Sequence, residues 1–127
     1  MKKIIQTDKA PAPIGPYSQA VLIGDTLYTS GQIALDAESG ELIISTIAEE
    51  THKVMTNMKA VLNAAGMNFE NVVKSSIFLS SMQNFQAVNE VYATYFNESE
   101  APARETVEVS ELPKKVNVEI SMIAAKY

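Results

Sequence analysis

The chain has 127 residues, 46% of them apolar and 20% charged, with a formal net charge of −5 and no cysteine. These values describe one folded domain able to bury a core unaided, and exclude a disordered chain or a disulfide-stapled one. The acidic balance speaks against a nucleic-acid partner, the missing cysteines exclude thiolate metal sites and a cysteine nucleophile, and no stretch reaches the ~20 apolar residues of a membrane span.

The N-terminal Met1-Lys2-Lys3-Ile4-Ile5 starts like a secretion signal, but its apolar run stops after two residues, so the expectation is a cytoplasmic protein. Residues 2–6 read as a first strand. The segment from Ala10 to Ser18 carries three prolines within six positions, which biases the backbone toward an ordered, extended loop. Ala20-Val21-Leu22-Ile23 and Thr26-Leu27-Tyr28-Thr29-Ser30 are two β-prone runs joined by Gly24-Asp25, the pattern of a hairpin.

The spacing then predicts a helix over about 47–65. Thr46-Ile47-Ala48-Glu49 has capping-box spacing, and Ile47, Thr51, Val54, Met58, Val61, Leu62 and Ala65 form one stripe. Gly66 supplies the stop. Residues 72–79 read as a strand and 83–96 as a second helix, with Phe85, Val88, Tyr92, Tyr95 and Phe96 on one side. The last two strands fall at 104–109 and 116–125, separated by Leu112-Pro113-Lys114-Lys115. The order is βββαβαββ, an α+β two-layer sandwich with both helices on one face of one sheet. Two helices cover only one face. The strands are not cleanly polar on either side, so the uncovered face is expected to close against other copies of the chain.

Arg104 is the single arginine among ten cationic side chains. Its planar fork grips a carboxylate at two points, which lysine cannot copy. Alternation along the last two strands puts Arg104, Thr106 and Glu119 on one sheet face if Val107, Val109, Val118 and Ile120 all meet the helices. That arrangement serves either a site for a small acid or an Arg104–Glu119 ion pair at an oligomer interface. His52, the lone histidine, falls off the apolar stripe and reads as a solvated helix residue. No histidine, cysteine or acid cluster has metal-ligand spacing, and the glycines follow no phosphate-cradling pattern.

Several segments stand together in a recognisable order. Ile14-Gly15-Pro16-Tyr17-Ser18-Gln19-Ala20, Thr29-Ser30-Gly31-Gln32-Ile33, Asn63-Ala64-Ala65-Gly66, Pro102-Ala103-Arg104 and Val118-Glu119-Ile120 are spaced as in the RidA (reactive intermediate deaminase A, or YjgF) family. The chain resembles that family over nearly its whole length, as a single domain spanning 1–127. The resemblance implies a chorismate-mutase-like fold assembled as a homotrimer with clefts between subunits. It further implies hydrolytic deamination of enamine and imine intermediates, such as 2-aminoacrylate and 2-iminobutanoate, released by pyridoxal-phosphate-dependent dehydratases.

By the same resemblance Arg104 would clamp the substrate carboxylate, and Glu119 would orient or activate the attacking water. Tyr17, Ser30 and Gly31 would line the pocket, and Asn89 and Thr106 would add contacts. No cofactor, nucleic-acid partner or membrane partner is implied. Two positions depart from the common pattern: Thr106 stands where many members carry cysteine, and Glu105 where the residue is usually small or apolar. Both bear on selectivity. A non-catalytic trimeric module binding 2-oxo acids or amino acids is the alternative, since the same arginine would serve it.

Overall fold

The computed structural model describes residues 1–127 and contains β1 (Lys2–Ile5), β2 (Ala20–Ile23), β3 (Thr26–Thr29), α1 (Ile47–Ala64), β4 (Val72–Leu79), α2 (Phe85–Ala93), β5 (Ala103–Glu108) and β6 (Val118–Ala125). The element order is the expected βββαβαββ. Gly24, at φ +58°, turns β2 into β3, a conformation that carries no penalty without a Cβ. The strands form one six-stranded sheet in the order β1-β2-β3-β6-β4-β5. Only β4 and β5 pair in parallel, which makes the sheet mixed and leaves β5 at its edge. The crossover between them is α2.

The first helix begins as its sequence demands, though only half the capping box forms. Thr46 Oγ1 accepts from the backbone N–H of Glu49 at 3.1 Å, while the Glu49 carboxylate accepts from the Ser45 hydroxyl instead of returning to the cap. The helix ends in a Schellman motif: Met67 N donates to Leu62 O at 3.0 Å, Gly66 N donates to Asn63 O at 2.9 Å, and Gly66 has φ +72°. The second helix is shorter than the predicted 83–96. Met82–Asn84 is a 3-10 turn capped by Ser81, and Tyr95 and Phe96 follow the helix in i→i−3 turns.

Val54, Met58, Val61 and Leu62 of α1 and Val88 and Tyr92 of α2 bury against Ile77 and Leu79 of β4 and Val118, Ile120, Met122 and Ala124 of β6. Each full burial stabilises by roughly 1.5–3 kcal/mol, so this layer holds the fold together. Two polar residues lie inside it that periodicity did not flag. Glu50 is fully buried and accepts from Asn117 N at 2.7 Å, Asn117 Nδ2 at 2.8 Å and Val118 N at 3.1 Å. Asn57 Nδ2 donates to Ile33 O at 3.0 Å and Leu35 O at 2.9 Å. Both tie α1 to backbone leading into the candidate site.

The opposite sheet face carries no helix. The registers align Ile4 with Val21, Val21 with Tyr28, Tyr28 with Ile123, Phe78 with Glu119 and Val107 with Phe78 along it. Ile4, Ile23 and Tyr28 are each about half exposed (49–51%). This face leaves large apolar side chains exposed on the single chain. No helix is long and apolar enough to cross a membrane.

Candidate functional site

The residues singled out in the sequence fall into two neighbourhoods. In the first, Arg104 at the start of β5 donates through Nη1 to Asn89 Oδ1 on α2 at 2.7 Å. Its guanidinium carbon lies 5.1 Å from the Tyr92 ring centre and 5.8 Å from that of Phe85. Aromatic rings and one amide thus orient the fork while leaving most of its five donors unused. The open cavity around it measures about 710 Å³ and is lined by Asn89, Tyr92, Phe96, Pro102 and Arg104 among others. The Tyr92 hydroxyl donates to Ser75 Oγ at 2.9 Å, and burial pushes the Tyr92 phenol up from its ordinary value.

The second neighbourhood is a cleft of about 500 Å³ lined by Ile14, Tyr17, Ser30, Gly31, Lys114 and Glu119 among others. Gln19 builds its rim. Its Oε1 accepts from Thr7 N at 2.7 Å, and its Nε2 lies within hydrogen-bond reach of the carbonyls of Thr7 (3.0 Å), Ala10 (3.2 Å) and Pro11 (2.9 Å). The proline-rich segment is therefore fixed by one buried amide. Ser30 Oγ donates to Ser18 O at 2.5 Å, joining that segment to the end of β3. Glu119 lies directly over Gly31: a Cβ at that position would stand 2.7 Å from Glu119 Oε2. Any larger residue here would have to displace the Glu119 side chain. Partial burial holds the Glu119 carboxyl above its ordinary value.

The expectation that Arg104 and Thr106 share a sheet face with Glu119 is corrected. Arg104 pairs in register with the buried Ser75 and Thr106 with the buried Ile77, so both sit on the helix side. Glu119 alternates with the buried Val118 and Ile120 and points to the uncovered face. The deduction failed because Val107 is not core: it is 41% exposed on the uncovered face of an edge strand. An Arg104–Glu119 ion pair does not form within the chain, whose two ion pairs join Lys53 to Asp36 and Lys74 to Glu105. Thr106 Oγ1 is buried and lacks a hydrogen-bond partner.

Glu105 points away from Arg104, as strand alternation requires. It accepts from the Ser76 hydroxyl and pairs with Lys74 at 2.9 Å, contacts that lower its carboxyl below the usual range. His52 lies on exposed α1 surface in neither cleft, its Nδ1 2.8 Å from the Tyr95 hydroxyl. No set of three or more His, Cys, Asp or Glu side chains converges in a way that could hold a metal ion. Gln19, Glu50 and Asn57 were missed as positioning residues. A buried polar side chain leaves no periodic signal, and Gln19 stands in the sequence only as part of the Ile14–Ala20 motif.

Comparison with known proteins shows what this geometry belongs to. Residues 7–126 match the family model described as Endoribonuclease L-PSP. A RutC family protein of Saccharolobus solfataricus is 52% identical over 126 residues, 99% of each chain. A Bos taurus protein named 2-iminobutanoate/2-iminopropanoate deaminase is 48% identical over 126 residues, covering 99% of this chain and 91% of its own. The crystal structure of Escherichia coli TdcF with bound serine superposes with a TM-score of 0.92 at 38% identity, covering 98% of this chain and 99% of that one. The architecture of two helices on one mixed six-stranded sheet is thus shared, and the chain belongs to the Endoribonuclease L-PSP family and, within it, to the RidA group its motifs resemble.

Proposed function

We propose that this chain is an imine deaminase that works as a homotrimer, with each site built from the Arg104 niche of one subunit and the Glu119 cleft of the next. The observation that carries this reading is the separation of the two groups on opposite sheet faces. A carboxylate clamp and a water-activating acid serve one small substrate only if a second copy brings them together, and the uncovered apolar face supplies a reason to associate. The name of the bovine relative supports the chemistry.

In the reaction, water oxygen bonds to the imine carbon, the resulting tetrahedral carbinolamine loses its C–N bond, and R–C(=NH)–COO⁻ plus H₂O becomes R–CO–COO⁻ plus NH₃. Glu119, as carboxylate, accepts a proton from the attacking water and returns it to the departing nitrogen. Its raised proton affinity suits both transfers. Arg104 holds the carboxylate, with Asn89 fixing the fork. Tyr17, Ser30 and Gly31 shape the cleft, and the unpartnered Thr106 hydroxyl offers a contact beside Arg104. An imine carbon is already electrophilic, so positioning carries most of the rate and no cofactor is called for. The substrates fit release by pyridoxal-phosphate-dependent dehydratases in the cytoplasm, where unhydrolysed 2-aminoacrylate would do damage.

The serine held by the TdcF relative favours a second reading, a binding module for amino or 2-oxo acids. Endoribonuclease, the word in the family's description, is disfavoured by the net charge of −5. The deciding experiment generates the imine with a threonine or serine dehydratase in the presence of semicarbazide as a competing trap. Suppressed semicarbazone formation with this protein, and none with Arg104→Ala, is the expected result. No suppression with several amino-acid precursors leaves the binding module, and a monomer in sedimentation overturns the intersubunit site.

A further inference from the structure

Two consecutive lysines hold a backbone conformation that lysine rarely adopts. Lys114 has φ 56° and ψ 18°, and Lys115 has φ 57°, in the turn that leads into β6. Glycine or asparagine would sit there without strain. The turn cannot relax, because Leu112 and Val116 are buried on either side and Lys115 N donates to Leu112 O at 2.9 Å. Strained positions that persist in a braced turn concentrate where a side chain is used. The two lysines are not equivalent. Lys114 lines the Glu119 cleft beside Tyr17 and Pro113, and Lys115 does not.

Lys114 is also unclaimed. The two ion pairs of the chain use Lys53 and Lys74, so Lys114 lines the cleft without an ion-pair contact to Glu119, the one carboxylate there. Arg104 is reserved for the carboxylate beside the reacting carbon. A second cation at the other neighbourhood has no work to do on a substrate with an apolar side chain. It has work on one with an acidic side chain. A lysine is a point charge on a flexible stem, suited to a second carboxylate at variable reach, where a fixed fork would be too rigid.

We infer that Lys114 is a specificity-determining residue that admits 2-imino diacids, such as 2-iminosuccinate, as substrates alongside the monocarboxylic imines. The inference rests on the imine-hydrolase reading and adds the side-chain class. The chemistry is unchanged: water adds to the imine carbon, ammonia leaves, and both carboxylates remain intact in the 2-oxo diacid.

The test uses the full-length protein and two imines made by flavin-dependent oxidation, 2-iminopropanoate from D-alanine and 2-iminosuccinate from D-aspartate. Hydrolysis is read in competition with semicarbazide. Lys114→Asn keeps a residue that tolerates the left-handed backbone, and Lys115→Asn controls for strain and net charge. The expected result is that the ratio of kcat/KM for the diacid to that for the monoacid falls about tenfold in Lys114→Asn and holds in Lys115→Asn. Raising salt to ~0.5 M should lower the wild-type ratio toward that of Lys114→Asn. An unchanged ratio in Lys114→Asn, or an equal fall in Lys115→Asn, overturns the inference. Wild-type hydrolysis of the monoacid alone does the same and leaves the hydrolase reading standing. Hydrolysis of neither imine overturns both.

Discussion

The covered and uncovered faces of the sheet obey different rules. On the helix side most inward positions are apolar and fully buried. The buried polar residues Glu50, Thr51, Asn57 and Ser75 are hydrogen-bonded, with the Thr106 hydroxyl the one buried group left unpartnered. On the other side Ile4, Ile23, Tyr28 and Val107 stand half exposed among Lys74, Glu105 and Glu119. One face is complete within the chain and fixes the fold. The other is left uncovered by the chain and, on our proposal, closes against a neighbour and carries half of the chemistry. Substitutions in the helix-side core should report on folding, and those at the two clefts, the Arg104 niche on the helix side and the Glu119 cleft on the other, on catalysis.

Glu50→Ala tests the first half of that division. It strips the acceptor from Asn117 N, Asn117 Nδ2 and Val118 N in a fully buried position, so a loss of about 3–5 kcal/mol in denaturant unfolding is expected. A loss below about 1 kcal/mol would show that the buried carboxylate is not what holds the start of β6. Arg104→Lys tests the second half. It keeps the charge and removes the fork, so kcat/KM should fall on the order of 100-fold while sedimentation and Tm stay as in wild type. Activity equal to wild type would end the clamp assignment.

Gly31→Ala probes the close approach at Glu119. The added methyl would overlap a carboxylate that can swing aside, so the chain should fold while kcat/KM drops about tenfold. Loss of folding instead would mark Gly31 as a backbone requirement.

The smallest effect on stability is expected at Glu119. Its carboxyl is raised by burial, and the base is the ionised form, so the acid limb of kcat/KM should lie above the ordinary carboxylate range, with activity lost as pH falls through it. A raised carboxyl favours the native state when protonated, so ionisation at neutral pH costs stability. Glu119→Gln should remove the acid limb together with activity and raise Tm by about 1–2 °C at pH 7, an effect that vanishes at pH 4. A lowered Tm at pH 7 would mean Glu119 is a structural partner across the subunit interface.

Much of this molecule is legible in one dimension. Local rules produced the hairpin at Gly24, the Thr46 cap, the Gly66 stop, the bounds of β4 and the order of elements, because each depends on a few neighbouring residues and a fixed period. Arg104 stood out as the single arginine and Glu119 by strand alternation, whereas Tyr17, Ser30 and Gly31 were marked only by the resemblance to the RidA family. Tertiary structure decided the rest. Whether Val107 faces the helices depends on β5 being an edge strand in parallel register with β4, a long-range pairing that no local pattern records. That single fact moved Arg104 and Thr106 to the face opposite Glu119. Glu50, Asn57 and Gln19 likewise became positioning residues only when backbone from distant segments came to meet them, since a polar side chain is buried at acceptable cost only where the fold delivers its partners.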